Sequence, residues 1–190
     1  SGTTIMTTEP KFVPKEAVSV KLGEDVEVKI RLVDCVGYMV EGASGHIENG
    51  TERQVKTPWV EYEIPFTKAA AIGTQKVIHD HATIGLVVTT DGSVTELARE
   101  NYIPAEEKTV RELIGKPFLI ILNCQKPYAE EAKSLKEELQ EKYQAPVIAM
   151  NCEQMKAEDL HEMMQQILYE FPVTEVEFYL PKWVEMLSRD

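Results

Sequence analysis

Asp34-Cys35-Val36-Gly37 closes the apolar run Val28-Lys29-Ile30-Arg31-Leu32-Val33. A carboxylate at the end of a buried strand can order a water on Mg²⁺. A glycine just beyond it lets its amide come close to a γ-phosphate, because no Cβ intervenes. The competing reading is that Asp34 merely caps a turn. Upstream lies Thr3-Thr4-Ile5-Met6-Thr7-Thr8-Glu9-Pro10. Thr7 or Thr8 could offer a hydroxyl to Mg²⁺ and an amide to the γ-phosphate, although such a stretch also reads as polar coil. A third element is Ile120-Ile121-Leu122-Asn123-Cys124-Gln125-Lys126. Where a GTPase strand ends in NKxD, the aspartate accepts hydrogen bonds from guanine. Here Asn123 is present, but Lys126 stands at the aspartate position and a cation cannot accept those bonds. That leaves an adenine nucleotide, or no base reading. The fourth element, Asn151-Cys152-Glu153, follows the next strand, where such folds place a loop against the base. No GxxxxGK[ST] string occurs, so the phosphate cradle that these residues call for is missing from the 190 residues.

Other candidates carry less. Tyr38 stands where Ras-like proteins have the glutamine that orients the attacking water. Tyrosine is no substitute for that amide, and a packing role at a loop entrance accounts for it equally well. His79-Asp80-His81 resembles a metal cluster, but cations near a helix C-terminus are favoured by the dipole and no further ligands stand at a suitable spacing. Cys35, Cys124 and Cys152 each follow an apolar run and form no CxxC pair, so they read as reduced, buried small hydrophobes. The helix of Glu130 to Glu141 interleaves its acids with lysines, as a solvated face does.

The elements that must position these residues follow from periodicity. Ala17–Leu22 and Val26–Val33 read as two strands joined by a Gly23-Glu24-Asp25 turn. Tyr38 to Phe66 reads as loop, and Thr67 as the cap of a helix running through Ala69, Ile72, Val77 and Ile78. Strands then alternate with helices: Thr83–Thr90, Ala105–Ile114, Phe118–Leu122, Tyr128–Tyr143, Pro146–Met150 and Ala157–Phe171. This rhythm predicts an α/β domain with a largely parallel sheet. Val176, Phe178 and Leu180 alternate with Glu175 and Glu177 in a final strand, read with its surroundings (173–190) as a linker or the start of another domain after an NTPase domain over 1–172. The net charge of −12 argues against nucleic acid as partner. No apolar run nears the length of a membrane span. The first residues lack both the basic and the apolar parts of a signal peptide.

Thr4 to Pro14 and Ile30 to Tyr38 closely resemble the stage IV sporulation protein A family. So do Thr57-Pro58-Trp59, Ile64-Pro65-Phe66, Ile84 to Gly92, Pro146 to Met150 and Glu170 to Val173. The resemblance implies a P-loop NTPase-like three-layer sandwich related to translation-factor GTPases, here truncated of its first strand, phosphate loop and first helix. It implies ATP and Mg²⁺ as cofactors. Asp34 would be the Walker B aspartate, binding Mg²⁺ through water, and Thr7 or Thr8 the sensor threonine; Gly37, Asn123, Asn151 and Cys152 would line the nucleotide. It further implies an ATPase that polymerises into the basement layer of the spore coat, in the mother-cell cytoplasm at the outer forespore membrane. Expected partners are further copies of itself, other coat morphogenetic proteins and a small forespore-membrane-bound peptide. The fragment itself is expected to be inactive. The alternatives are a non-catalytic interaction module with a degenerate nucleotide site and a GTPase-like regulator. In Ras-like topology the absent strand lies between the strand ending at Asp34 and Thr83–Thr90. Those two strands are therefore expected either to close on each other or to recruit a strand from a neighbouring chain.

Overall fold

A computed structural model describes residues 11–21 and 27–170. Thr7, Thr8 and the segment after Glu170 lie outside them. The first element is an antiparallel pair, β1 (Lys11–Lys21) and β2 (Glu27–Asp34), with Phe12 opposite Val33 and Val20 opposite Val28. β1 is longer than the sequence pattern suggested because an irregularity between Val13 and Val18, around Pro14, lets the strand pairing resume beyond it. Asp34 is the last residue of β2, as expected.

The segment Tyr38–Phe66 is not the featureless loop its glycines and prolines suggest. It holds two hairpins, β3 (Ile47–Glu48) with β4 (Thr51–Glu52) and β5 (Gln54–Thr57) with β6 (Val60–Pro65). The first turns on Asn49-Gly50, both at positive φ (51° and 77°). Asn-Gly is the pair that a two-residue hairpin turn of this kind demands. That signal stood in the sequence, hidden by the shortness of the flanking strands.

α1 (Phe66–Lys76) starts one residue before Thr67, and Thr67 is not its cap. Instead the Glu52 carboxylate of β4 accepts hydrogen bonds from the Thr67 amide (2.9 Å) and hydroxyl (2.5 Å). These bonds hold the Glu52 carboxyl below its ordinary range. An acid borrowed from a hairpin satisfies the helix start, where free amides and the helix dipole favour a negative charge.

α1 runs into a π-turn, Val77–His81, whose Val77 carbonyl accepts from the Ala82 amide (2.9 Å). Lys116 reaches across and donates to the carbonyls of Ile78 (2.6 Å) and Ala82 (2.8 Å). It gives partners to carbonyls that the helix end leaves free. Lys116→Met is expected to cost about 1–3 kcal/mol of stability, the usual consequence of leaving half-buried acceptors unpaired. Urea titration of both forms checks this; an unchanged midpoint would show that water replaces the ammonium without loss.

The remaining elements form a parallel sheet, β7 (Gly85–Thr90), β8 (Phe118–Asn123) and β9 (Val147–Met150), in that spatial order. α2 (Ile103–Glu112), α3 (Glu130–Tyr143) and α4 (Ala157–Glu170) complete the alternation predicted from periodicity, with ends shifted by a residue or two. Successive residues of β8 serve opposite faces. Ile120 and Leu122 join Val87, Val110, Leu113, Leu139 and Val147, under α2 and α3. Leu119 and Ile121 join Met150, Met163 and Ile167, under α4. This is why β8 is apolar from Phe118 to Leu122: a strand covered by helices on both sides has no polar face.

β2 and β7 do not close on each other. Among the described residues the β1–β2 pair and the β7–β8–β9 sheet share no strand pairing. A cleft of about 800 Å³ separates them, walled by Val28 to Asp34 on one side and by Ile84, Gly85, Leu86 and Val88 on the other. β7 therefore has one open edge, and Val88 is 62 % exposed.

Candidate functional site

The carboxyl ends of β7, β8 and β9 bring three loops together. After β7, the Asp91 carboxylate accepts from the Ser93 amide (2.9 Å) and hydroxyl (2.6 Å), and the Gly92 amide donates to Thr90 Oγ1 (3.0 Å). Gly92 is at φ 89°, and a Cβ there would meet the Arg99 backbone nitrogen at 3.0 Å, so only glycine fits this turn without strain. Ser93 Oγ in turn accepts from the Gln125 amide (2.9 Å), fastening this loop to the one after β8. The Asn123 carboxamide accepts from the Cys152 amide (3.0 Å), and Asn151 Nδ2 donates to the Gln125 carbonyl (3.4 Å). Asn151 Oδ1 also accepts from the Glu153 amide (3.1 Å), capping the short 3₁₀ turn Cys152–Gln154.

Asn123, Asn151 and Cys152, picked out in the sequence as separate features, are thus one hydrogen-bonded cluster. Asp91 and Ser93 belong with them and were passed over, because Asp-Gly after a strand reads first as a turn. All three cysteines are free, but only Cys124 is buried as expected; Cys35 and Cys152 are partly exposed. Burial, followed by the nearby Asp91 and Cys152, pushes the Cys124 thiol up to about 11, and burial raises Cys152 as well. Neither is a thiolate near neutral pH.

Asp34 and Gly37 stand on the other side of the cleft. Asp34 is exposed at its wall. Gly37 has φ 80°, and nothing lies within 4 Å of where a Cβ would be. One carboxylate with room around it suits Mg²⁺, which is commonly held by one or two carboxylates, substrate phosphates and waters. Among the described residues no three acidic, histidine or cysteine side chains form a metal cluster. His79-Asp80-His81 is dispersed among local partners: His79 Nε2 lies 3.1 Å from Glu112, Asp80 pairs with Lys76, and His81 stacks edge-on against Phe12.

Tyr38 turns toward α2. Lys108 lies 4.2 Å over its ring, and burial together with the Glu112 carboxylate pushes its hydroxyl up to about 12. These are the surroundings of a packing residue that anchors the segment after Gly37 to α2.

One polar cluster lies beneath the loops. Glu106, on the buried face of α2, accepts from Thr89 Oγ1 (2.5 Å), Tyr143 Oη (2.7 Å) and Arg99 Nη2 (2.8 Å to Oε1, 2.7 Å to Oε2). Arg99 Nη1 also donates to Thr89 Oγ1 (3.1 Å). Burial pushes the Glu106 carboxyl up, but the hydrogen bonds and the Arg99 charge outweigh it and hold the group below its ordinary value. Arg99 follows the Asp91–Ala98 loop, so this ion pair ties the loop's far end to the core.

A parallel sheet covered on both faces, with loops gathered at its carboxyl edge, defines an open α/β domain of the class that takes ligands at that edge. The profile of the family described as stage IV sporulation protein A, ATPase domain, matches residues 1–172, and the chain belongs to that family. It is 53% identical over 192 residues to stage IV sporulation protein A of Clostridioides difficile. It is 50% identical over 192 residues to the protein of that name in Bacillus subtilis, and 51% over 190 residues to that of Bacillus anthracis. The alignments cover 99–100% of this chain and 39% of each relative, so the chain spans well under half of their length. No solved structure gives a significant match. Among the described residues no helix is long and apolar enough to cross a membrane.

Proposed function

We propose that this chain is the nucleotide-handling part of an ATPase that drives assembly of the spore coat. In this reading the fold is of the P-loop NTPase type, related to translation-factor GTPases. The phosphate loop, with the strand and helix that flank it, is supplied by sequence outside these residues. Asp34 orders a water on Mg²⁺, Thr7 or Thr8 senses the γ-phosphate, and the Gly37 amide approaches it. Mg²⁺ supplies neutralisation of charge on the β- and γ-oxygens. Asn123, Asn151 and Cys152 hold the loops against the base, and Lys126 removes the guanine-reading aspartate. The whole protein would use ATP turnover to polymerise into the basement layer of the coat at the forespore surface, together with other coat morphogenetic proteins and a small membrane-bound peptide.

The observation that carries this reading is the Asn123–Cys152 hydrogen bond, which joins two loops at the carboxyl edge of the sheet, where a base would sit. Removing it leaves the weaker Asn151–Gln125 contact (3.4 Å) as the side-chain bond between these loops. Asn123→Ala in the longer protein is expected to weaken ATP binding about tenfold, the loss of one well-formed polar contact. Calorimetric titration with ATP and with GTP tests it. Equal ATP affinity in both forms would take Asn123 out of the site, and a clear preference for GTP would overturn the adenine reading.

A further inference from the structure

The segment after Gly37 rests on α2 and on the 3₁₀ turn just before it, Arg99–Asn101. Tyr38 is held from two sides. The Lys108 ammonium lies 4.2 Å over its ring and has no ion pair among the described residues. The Tyr38 hydroxyl is buried without a hydrogen bond among those residues, and stands close enough to the Glu112 carboxylate to feel its charge. Lys108 and Glu112 are four positions apart, so one face of α2 presents both. Glu112 is itself fixed: its carboxylate accepts from Gln75 Nε2 (2.9 Å), and His79 Nε2 lies 3.1 Å away. On the turn, Asn101 Nδ2 donates to the Glu41 carbonyl (3.0 Å). At Gly42 (φ 81°) a Cβ would stand 3.3 Å from Leu97 and 3.4 Å from Asn101, so the backbone passes close against this support. The corresponding point at Gly37 has nothing within 4 Å. Gly37 is therefore placed by β2 before it and by the supported segment after it.

From this geometry, and resting on the reading that the Gly37 amide meets the γ-phosphate, we infer that Asn101, Lys108 and Glu112 are positioning residues for ATP hydrolysis. They hold Gly37 in place through Tyr38 and Glu41. A backbone amide stabilises charge developing on a phosphoryl oxygen only if it already points there; one that must first be ordered gives up part of that gain. Glycine is the residue with most freedom to lose, so its order has to come from its neighbours. The seat also accounts for a tyrosine next to Gly37. A phenol is no substitute for a water-orienting amide, but its ring offers a face to a cation and its hydroxyl a donor to a carboxylate. The same support serves the base side. The loop that ends at Asn101 begins at Asp91 and Ser93, and Ser93 Oγ accepts from the Gln125 amide (2.9 Å).

Steady-state turnover and binding in the longer protein test this. Lys108→Met keeps the length of the side chain and removes its charge. It is expected to lower kcat about tenfold, with KM for ATP and Kd for ADP unchanged within about twofold, because ADP has no γ-phosphate for Gly37 to meet. Lys108→Arg keeps a cation over the ring and should restore most of the turnover. Asn101→Ala and Glu112→Ala should act in the same direction as Lys108→Met. Tyr38→Leu should also lower kcat, and adding Lys108→Met to it should cost nothing more, since the two side chains act as a unit. A merely structural role would weaken ATP and ADP binding alike. That result, or an unchanged kcat in Lys108→Met, would overturn the inference. Hydrogen exchange reads the seat without nucleotide. The Ala43 amide, bonded to the Val40 carbonyl (3.1 Å), is expected to exchange about tenfold faster in Lys108→Met, while the Leu119 amide inside the sheet stays protected. Faster Ala43 exchange in a protein that binds no ATP would sink the nucleotide reading and leave the seat as a clamp. ATP turnover with unchanged Ala43 exchange would sink the seat alone.

Discussion

Asp34→Ala in the longer protein is expected to reduce ATP turnover on the order of 100-fold or more while ATP still binds within a few-fold. The carboxylate has no fold to support: it is exposed, ends β2, and stands beside a glycine whose surroundings are open. Its removal should therefore leave stability unchanged within about 0.5 kcal/mol. Its expected work is electrostatic, through water, on the metal that neutralises the phosphates. Losses of one such group commonly reach 10²- to 10³-fold in turnover. A steady-state phosphate-release assay, with ATP affinity measured separately, distinguishes the outcomes. Equal turnover in wild type and variant would return Asp34 to the role of a turn residue. Equal turnover together with a lowered melting temperature would instead make it structural.

Glu106→Ala is expected to produce the largest loss of stability among single substitutions away from the apolar core. The carboxylate is 5 % exposed and engages Arg99, Thr89 and Tyr143 together. Removing it leaves the Arg99 guanidinium half-sequestered with no counter-charge. Breaking a buried pair on one side typically costs about 3–5 kcal/mol. For a domain of this size that corresponds to a fall in melting temperature of very roughly 10 °C. The pH dependence has a definite sign. Because the folded-state carboxyl lies below its ordinary value of 4.5, its contribution is complete above pH 4.5. It is lost as pH falls through the lowered folded value. Glu106→Gln should therefore flatten the stability profile below pH 4.5 while lowering it near neutrality. Calorimetry from pH 3 to 7 checks both. A melting temperature that is unchanged at pH 7 would mean that water or a relaxed Arg99 compensates.

These two residues also mark how far sequence reading reaches. The place of Asp34 at the end of a strand could be read from the sequence because its signal is local: an apolar run, a carboxylate and a glycine in fixed order. The α/β alternation after Gly85 was legible for the same reason, since each strand or helix announces its own period and a doubly covered strand such as β8 is apolar from Phe118 to Leu122. Glu106 was invisible because nothing near it in sequence reveals its partners. Arg99, Thr89 and Tyr143 come from three other elements, and α2 reads as an ordinary amphipathic helix with a glutamate on it. Glu52 at the start of α1 and Lys116 under the π-turn are similar cases, each a charge that satisfies a helix end far along the chain. The hairpins of 47–65 were missed for a different reason, since strands this short carry too few alternations to outweigh the glycines and prolines around them.

By itself, the sequence determined the strand–helix order from β7 onward, the burial of Cys124, the position of Asn123 and Asn151 at or just beyond strand ends, and that of Asp34 at the end of β2. All of these depend on neighbours within one turn or one strand. Only the tertiary structure decided which loops bond to one another, which helix ends borrow a distant charge, and that β2 and β7 keep an apolar cleft open between them. Those outcomes depend on pairings between residues far apart in the chain. Their energy comes from burial and hydrogen bonding across elements, which no local pattern records.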